Sequence, residues 1–246
     1  MILPKPTGEF EWTQESWGAA LRCRAMATTP HLFSTRQLAL PDVREEAMGN
    51  WLPLAHALNK DANAGAIVRL RQVHCADVFE ASGEKMPSTR YAEWPEADIA
   101  ISADPALVLT VRAADCVPVL LADRRSGAVS AIHAGWRGTA AGAVLAAVQA
   151  MTRRFRSEPR NIVAAVGPSI GPCCYAIGEE LIQEFASHPD PSRWFNRTGG
   201  LHLDLWQHWN LTGTHCALLF LIQALSLTEG RQINTTPVKA QHSMHR

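Results

Sequence analysis

The stretch "AIVRLRQVHCADVFEA", residues 66–81, alternates apolar and polar positions and is rich in β-branched residues, which predicts a half-buried strand. "HLFSTR", 31–36, reads as a shorter strand ending in a polar turn. Between 97 and 136 come three further β-like runs, broken at Asp104-Pro105 and at Arg125-Ser126-Gly127. Helical spacing takes over in "REEAMGNWLPLAHALNK", 44–60, where Pro53 lies near a helix start or interrupts it. It returns from Thr139 to Phe155, with Thr139 or Gly138 as the expected cap. "NIVAAVGPSIGPCCYAIGEELIQEFASH" predicts a strand, a Gly/Pro turn and a helix, and "LHLDLWQHWN" a strand running into a helix. A Pro/Ser/Glu-rich loop is expected at 82–96. With no internal repeat and no linker, the pattern predicts one α+β domain over residues 1–246, with an atypical tail from about 211.

Composition narrows the function classes. A hydrophobic content of 47% over 246 residues supplies a substantial core. Lysine plus arginine equal aspartate plus glutamate at 23 each, so no basic excess points to a nucleic-acid partner. The longest apolar runs, Val117–Ala122 and Ala217–Leu227, are too short or too interrupted to cross a bilayer. The first residues lack the basic start and long apolar middle of a secretory signal, and a cytoplasmic setting is expected. Six scattered cysteines with no C-x-x-C pair fit neither a disulfide scaffold nor a zinc ribbon. The Asn-x-Thr sequons at Asn196, Asn210 and Asn234 read as chance.

Three residues stand out as carriers of chemistry. His74 lies within an apolar run, Cys116 sits between an acid and an apolar run in "ADCVPVLL", and His133 ends the next run before Gly135. Two imidazoles and one thiolate make a three-ligand set for a catalytic zinc, with a fourth position left for water or substrate. Cys116 activated by His133, without metal, is an equally consistent nucleophile pair. Strand alternation would turn Cys75 away from the site of His74. Arg36, after Ser34 and Thr35, is a candidate anion-binding group, while Arg112, Asp115 and Arg137 flank the cluster as orienting residues. Cys173 and Cys174 either line a pocket or pack the Gly/Pro turn, and Asp98 and Asp104 read as turn residues.

Taken in order, "FSTR", "LRQVHCADV", "ADCVPVLLAD", "HAGWRGTAAG" and "VGPSIGPCCYAIG" resemble the laccase-domain family, also called multicopper polyphenol oxidase-like or purine nucleoside phosphorylase-like, over about residues 30–210. The resemblance implies an α+β fold with mixed β-sheets flanked by helices. It implies a zinc ion on His74, Cys116 and His133, which are then the catalytic residues, with Ser34, Arg36 and Arg137 at the substrate. The implied activity is phosphorolysis of adenosine, inosine, guanosine and methylthioadenosine, together with adenosine deamination. The expected partners are nucleoside and phosphate, handled by a monomer or homodimer. Copper-dependent phenol oxidation, editing of peptidoglycan precursors by hydrolysis, and an inactive binding derivative are the alternatives.

Copper chemistry of the four-copper type calls for many histidines, largely in His-x-His pairs, and none of the ten histidines forms such a pair. Three departures from the family pattern are visible, the first being that "QLALPDVREEAMGN" after the "STR" element is shorter than usual and lacks the family's Gly-Gly-Val-Ser and Asn-Leu-Gly stretch. Cys75 replaces a usual glycine, and nothing after about Asn210 reproduces the family's Phe-Ser-Tyr-Arg-Arg ending. A diverged or frame-shifted C-terminus is the expectation there.

Overall fold

The computed structural model describes residues 6, 8–38, 40, 51–58, 66–84, 91–188 and 190–206. The outer parts of the expected 44–60 helix, the middle of the expected 82–96 loop, the helix expected to follow Trp206 and the tail from 211 lie outside the described residues.

A five-stranded mixed sheet organises the molecule. Its strands are β5 (Val78–Glu80), β6 (Ile99–Ser102), β8 (Val117–Asp123), β9 (Val129–Ala134) and β10 (Ile162–Val166), in the order β10-β8-β9-β6-β5. Only β5 and β6 run parallel; the other neighbours are antiparallel. Among the described residues three small sheets accompany it: β1 (Phe10–Glu15), β2 (Gly18–Cys23) and β3 (Phe33–Ser34); β4 (Ile67–Val68) with β7 (Val108–Leu109); and β11 (Phe195–Asn196) with β12 (His202–Leu203). The α-helices among the described residues are α1 (Leu52–Ala57), α2 (Trp136–Ala140), α3 (Ala143–Phe155) and α4 (Leu181–Glu184). The architecture is α+β, with mixed sheets and flanking helices.

Period-two alternation divides the large sheet between two cores. Ile99, Ile101, Val117, Val119, Leu121, Ile132, Ile162 and Ala164 face α3, which answers with Ala143, Val144, Ala147, Ala150 and Met151 at helical spacing. The intervening residues Ala122, Val163 and Ala165 turn the other way, onto Phe10, Leu21, Met26 and Phe33 of the β1–β3 layer. A helix, the central sheet and a small antiparallel sheet therefore form three layers.

Three expectations need correction. Residues 66–81 are not one strand: only β4 and β5 are regular, and His74 between them has φ of 64° in the left-handed region. The helix expected from Thr139 starts earlier, at Trp136 after Gly135, and is interrupted at Gly142, whose φ of 76° starts α3 afresh. Neither Thr139 nor Gly138 is a cap. Pro53 does sit in the first turn of α1, where its missing N–H is no loss.

The β8–β9 hairpin is closed by Asp123, buried at the end of β8. Its carboxylate accepts from Ser126 Oγ at 2.6 Å and from the Arg125 amide at 2.9 Å, while the Gly127 amide bonds its carbonyl. Burial pushes the carboxyl up, but the bonds from Ser126 and Arg125 outweigh it and hold its pKa below the ordinary carboxylate value. A carboxyl depressed by folding stabilises above its ordinary pKa of about 3.9, and that contribution vanishes as pH falls through the folded value. Asp123→Ala is expected to lower stability by about 1–3 kcal/mol at pH 7, with a smaller deficit in acid. Urea unfolding at several pH values checks it; a deficit that is constant with pH contradicts the assignment.

Candidate metal centre

Strand direction brings the candidate residues to one edge of the central sheet. Strands β5, β6 and β8 begin there, and β9 and β10 end there, because β9 is antiparallel to β6 and β8, and β10 to β8. Cys116 immediately precedes β8, and His133 in β9 pairs with Pro118. Asp98 immediately precedes β6 and continues the ladder, its carbonyl accepting from the His133 amide at 2.8 Å. His74 arrives from the irregular segment leading into β5.

The structure brings His74, Cys116 and His133 together: their ligand atoms all lie within 4.8 Å of one another. The two imidazoles meet edge to face, with centroids 4.8 Å apart and planes at 75°. His133 is buried, Cys116 half-buried and His74 exposed, so the cluster is open on one side. Gly135 supplies the space. A Cβ on it would fall 2.8 Å from Cys116 Sγ and 2.9 Å from His74 Cδ2. Its φ of −72° suits any residue, so room rather than conformational freedom requires glycine here. Two imidazole nitrogens, one sulfur and an open side fit a borderline-soft divalent ion.

Asp98 governs the geometry of both histidines. Its side chain is fully buried, and Oδ1 lies 2.6 Å from His133 Nδ1. Oδ2 accepts from the Val73 amide at 2.9 Å and the Cys75 amide at 2.9 Å, the N–H groups of the residues before and after His74. It also accepts from Cys75 Sγ at 3.2 Å. The left-handed conformation of His74, worth roughly 1–2 kcal/mol of strain, is therefore pinned by the carboxylate that orients His133. With Nδ1 engaged, His133 is left with Nε2 as its ligand atom.

Electrostatics follow from these contacts. Burial pushes Asp98 up, yet the bonds from His133, Cys75 and Val73 bring it down to about 2, so it is ionised at neutral pH. Burial pushes His133 down, but its bonds to Asp98 and Cys116 raise it to about 9. Burial, and then the charge of His133, lowers His74, which favours the neutral imidazole that a metal needs. Burial raises the Cys75 thiol to about 11, further supported by Asp98, so it remains a protonated donor.

Sequence reasoning missed Asp98 and misplaced Cys75. Asp98 is no turn residue but the partner of His133, a role set by the β6–β9 register and carried by no local sequence signal. Cys75 does not face away from the site, because the segment is not a strand, and its thiol joins the same carboxylate. Asp104 is a turn residue, accepting from the Ala106 amide at 2.9 Å. Trp136 packs on the main core and carries Arg137, whose guanidinium carbon lies 4.1 Å from its ring centroid. Exposed Arg137 is close enough for its charge to act on His74 and Tyr175. Tyr175, also missed, is half-buried; burial and then the charges of Cys116 and Asp115 push its phenol up to about 12. Asp115 is exposed and gives its carbonyl to Ile170, and the Arg112 backbone is held by the Gln72 side chain at 2.7 and 2.8 Å. Ser34 and Arg36 are exposed in β3 and the turn after it, and Arg36 has no hydrogen bond or ion pair among the described residues.

Asp98→Asn keeps the size of the side chain but loses its charge. It is expected to weaken zinc binding about 10–100-fold, measured by competition with a chromogenic chelator. An unchanged affinity in a folded variant contradicts the positioning role.

Known proteins share this arrangement of chain. A sequence profile for the family described as "Multi-copper polyphenol oxidoreductase laccase" matches residues 20–216. A purine nucleoside phosphorylase of Bacteroides thetaiotaomicron is 40% identical over 114 residues, which cover 45% of this chain and 42% of that protein. A purine nucleoside phosphorylase of Deinococcus radiodurans is 34% identical over 189 residues, covering 72% and 70%. The match thus spans under half of the Bacteroides relative and over two thirds of the Deinococcus one. Among solved structures, the hypothetical protein YfiH of Bacillus licheniformis superposes with a TM-score of 0.69 at 27% identity, covering 77% of this chain and 78% of that one. YlmD of Geobacillus stearothermophilus follows with 0.65 at 27% identity, covering 80% of each chain. The chain belongs to the multi-copper polyphenol oxidoreductase laccase family.

Proposed function

We propose that this chain is a zinc-dependent purine nucleoside phosphorylase acting on adenosine, inosine, guanosine and methylthioadenosine, with adenosine deaminase activity. The observation that carries the reading is the convergence of His74, Cys116 and His133 on the open side of a carboxylate-braced edge. The names of the relatives, purine nucleoside phosphorylase, give the substrate class.

In phosphorolysis a phosphate oxygen bonds to C1′ of the ribose, the C1′–N9 bond breaks, and the purine leaves with the electron pair and takes up a proton. Zinc, when held by His74, Cys116 and His133, supplies a Lewis-acidic charge beside the reacting group. Arg137, exposed and stacked on Trp136, is assigned the role of neutralising phosphate or developing negative charge. Ser34 and Arg36 are assigned to the substrate as a second anion-binding group, their exposure leaving them free to take it. Tyr175 keeps its proton at neutral pH beside Cys116 and acts as a hydrogen-bond donor.

A cytoplasmic monomer or homodimer is part of the same reading. The described cysteines Cys23, Cys75, Cys116, Cys173 and Cys174 are all free, as a reducing compartment maintains them. No helix among the described residues is long and apolar enough to cross a membrane.

The family description favours one other reading, copper-dependent phenol oxidation. Among the described residues, His74, Cys116 and His133 form the one such group able to hold an ion, whereas four-electron reduction of dioxygen calls for several centres. Release of hypoxanthine from inosine decides between them. Phosphate-dependent release is expected, abolished by chelation, restored by zinc, and reduced at least ~100-fold in Cys116→Ala. Background release from both wild type and Cys116→Ala overturns the proposal, and stoichiometric copper with phenol turnover replaces it. Activity that survives chelation but not thiol alkylation assigns a metal-free Cys116–His133 pair instead.

A further inference from the structure

Cys173 and Cys174 are exposed neighbours whose sulfurs lie 3.0 Å apart. Backbone bonds fix the turn that presents them. The Cys174 and Tyr175 amides both reach the Gly171 carbonyl, at 3.0 and 3.1 Å, and the Ala176 amide reaches the Cys174 carbonyl at 3.1 Å. The preceding loop is anchored by Gly167 to Pro118 at 2.8 Å, by Ile170 to Asp115 at 2.9 Å, and by the Trp206 indole to Ser169 at 2.8 Å. The two thiols are therefore held side by side at the sheet edge that carries the metal ligands. The other described cysteines are differently occupied: Cys23 is buried, Cys75 donates to Asp98, and Cys116 belongs to the ligand cluster.

We propose that Cys173 and Cys174 form a redox modification site, closed to a vicinal disulfide by exchange with a low-molecular-weight disulfide such as oxidised glutathione. One cysteine thiolate attacks a sulfur of the small disulfide, whose S–S bond breaks and whose other half leaves as a thiol after taking a proton. The second cysteine, losing its proton, then attacks the protein-side sulfur of this mixed disulfide and expels the second small thiol. Two cysteine thiols are oxidised to one disulfide, and one small disulfide is reduced to two thiols.

The proximity of the pair makes the second, intramolecular step fast. Adjacent Cα atoms stand only about 3.8 Å apart across a trans peptide, short of the roughly 4.4–6.8 Å of ordinary disulfides. The closed form is thus strained and readily reduced, which is the behaviour of an exposed, reversible bond rather than a structural one.

The test uses the full chain, freed of metal and reduced, then exposed to oxidised glutathione and read by intact mass and peptide mapping. Wild type is expected to lose two hydrogens without a lasting adduct, to show a Cys173–Cys174 link, and to reopen with reduced glutathione. C173S and C174S, lacking the resolving thiol, are each expected to retain one glutathione at the remaining cysteine. A lasting adduct on the pair in wild type, no reaction there, or a bond from either residue to another cysteine overturns the proposal. The readout needs neither nucleoside nor ion, so it stands or falls apart from the phosphorylase reading.

Discussion

One buried carboxylate holds the candidate centre together. Asp98 meets His133 Nδ1 with one oxygen and, with the other, the amides on both sides of His74. Four contacts repay the burial of its charge, which unpaired would be prohibitive. Because both oxygens are committed, His133 cannot tumble and the His74 segment cannot relax into the strand that its alternation suggests. The same carboxylate that orients one ligand through one oxygen maintains the strained backbone of another through its second oxygen.

The central sheet makes that economy available. Its mixed direction gathers the starts of β5, β6 and β8 and the ends of β9 and β10 along one edge. Residues distant in the chain become neighbours without any local motif. Gly135 leaves the gap in which the cluster sits, and Gly138 lets α2 pass close to the Cys75 carbonyl, which a Cβ would approach to 3.0 Å. The loop after β10 covers the same edge, so Tyr175 and the Cys173–Cys174 pair belong to the surroundings of the centre rather than to a remote surface.

Much of the fold was legible because alternation and helical spacing are direct consequences of burial. The runs that became β6, β8, β9 and β10 each place every second residue in one core. The 66–81 segment misled because period-two alternation records exposure without recording where the amide groups bond. There, Val73 and Cys75 bond a side-chain carboxylate instead of a neighbouring strand. The early start of α2 and the break at Gly142 were hidden because composition alone does not say which glycine adopts positive φ. His74, Cys116 and His133 were legible as unusual residue types in a specific order. Asp98 was not, since its role exists only through the β6–β9 register that sets it opposite His133.

The most direct measurement is a long-range proton–nitrogen NMR spectrum of the zinc-loaded protein with nitrogen-15 histidine. The account requires His133 to keep its proton on Nδ1, facing Asp98, and to carry the metal shift on Nε2. A spectrum in which Nδ1 of His133 bears the metal, or in which its two nitrogens exchange the proton freely, would contradict the claim that Asp98 sets the centre.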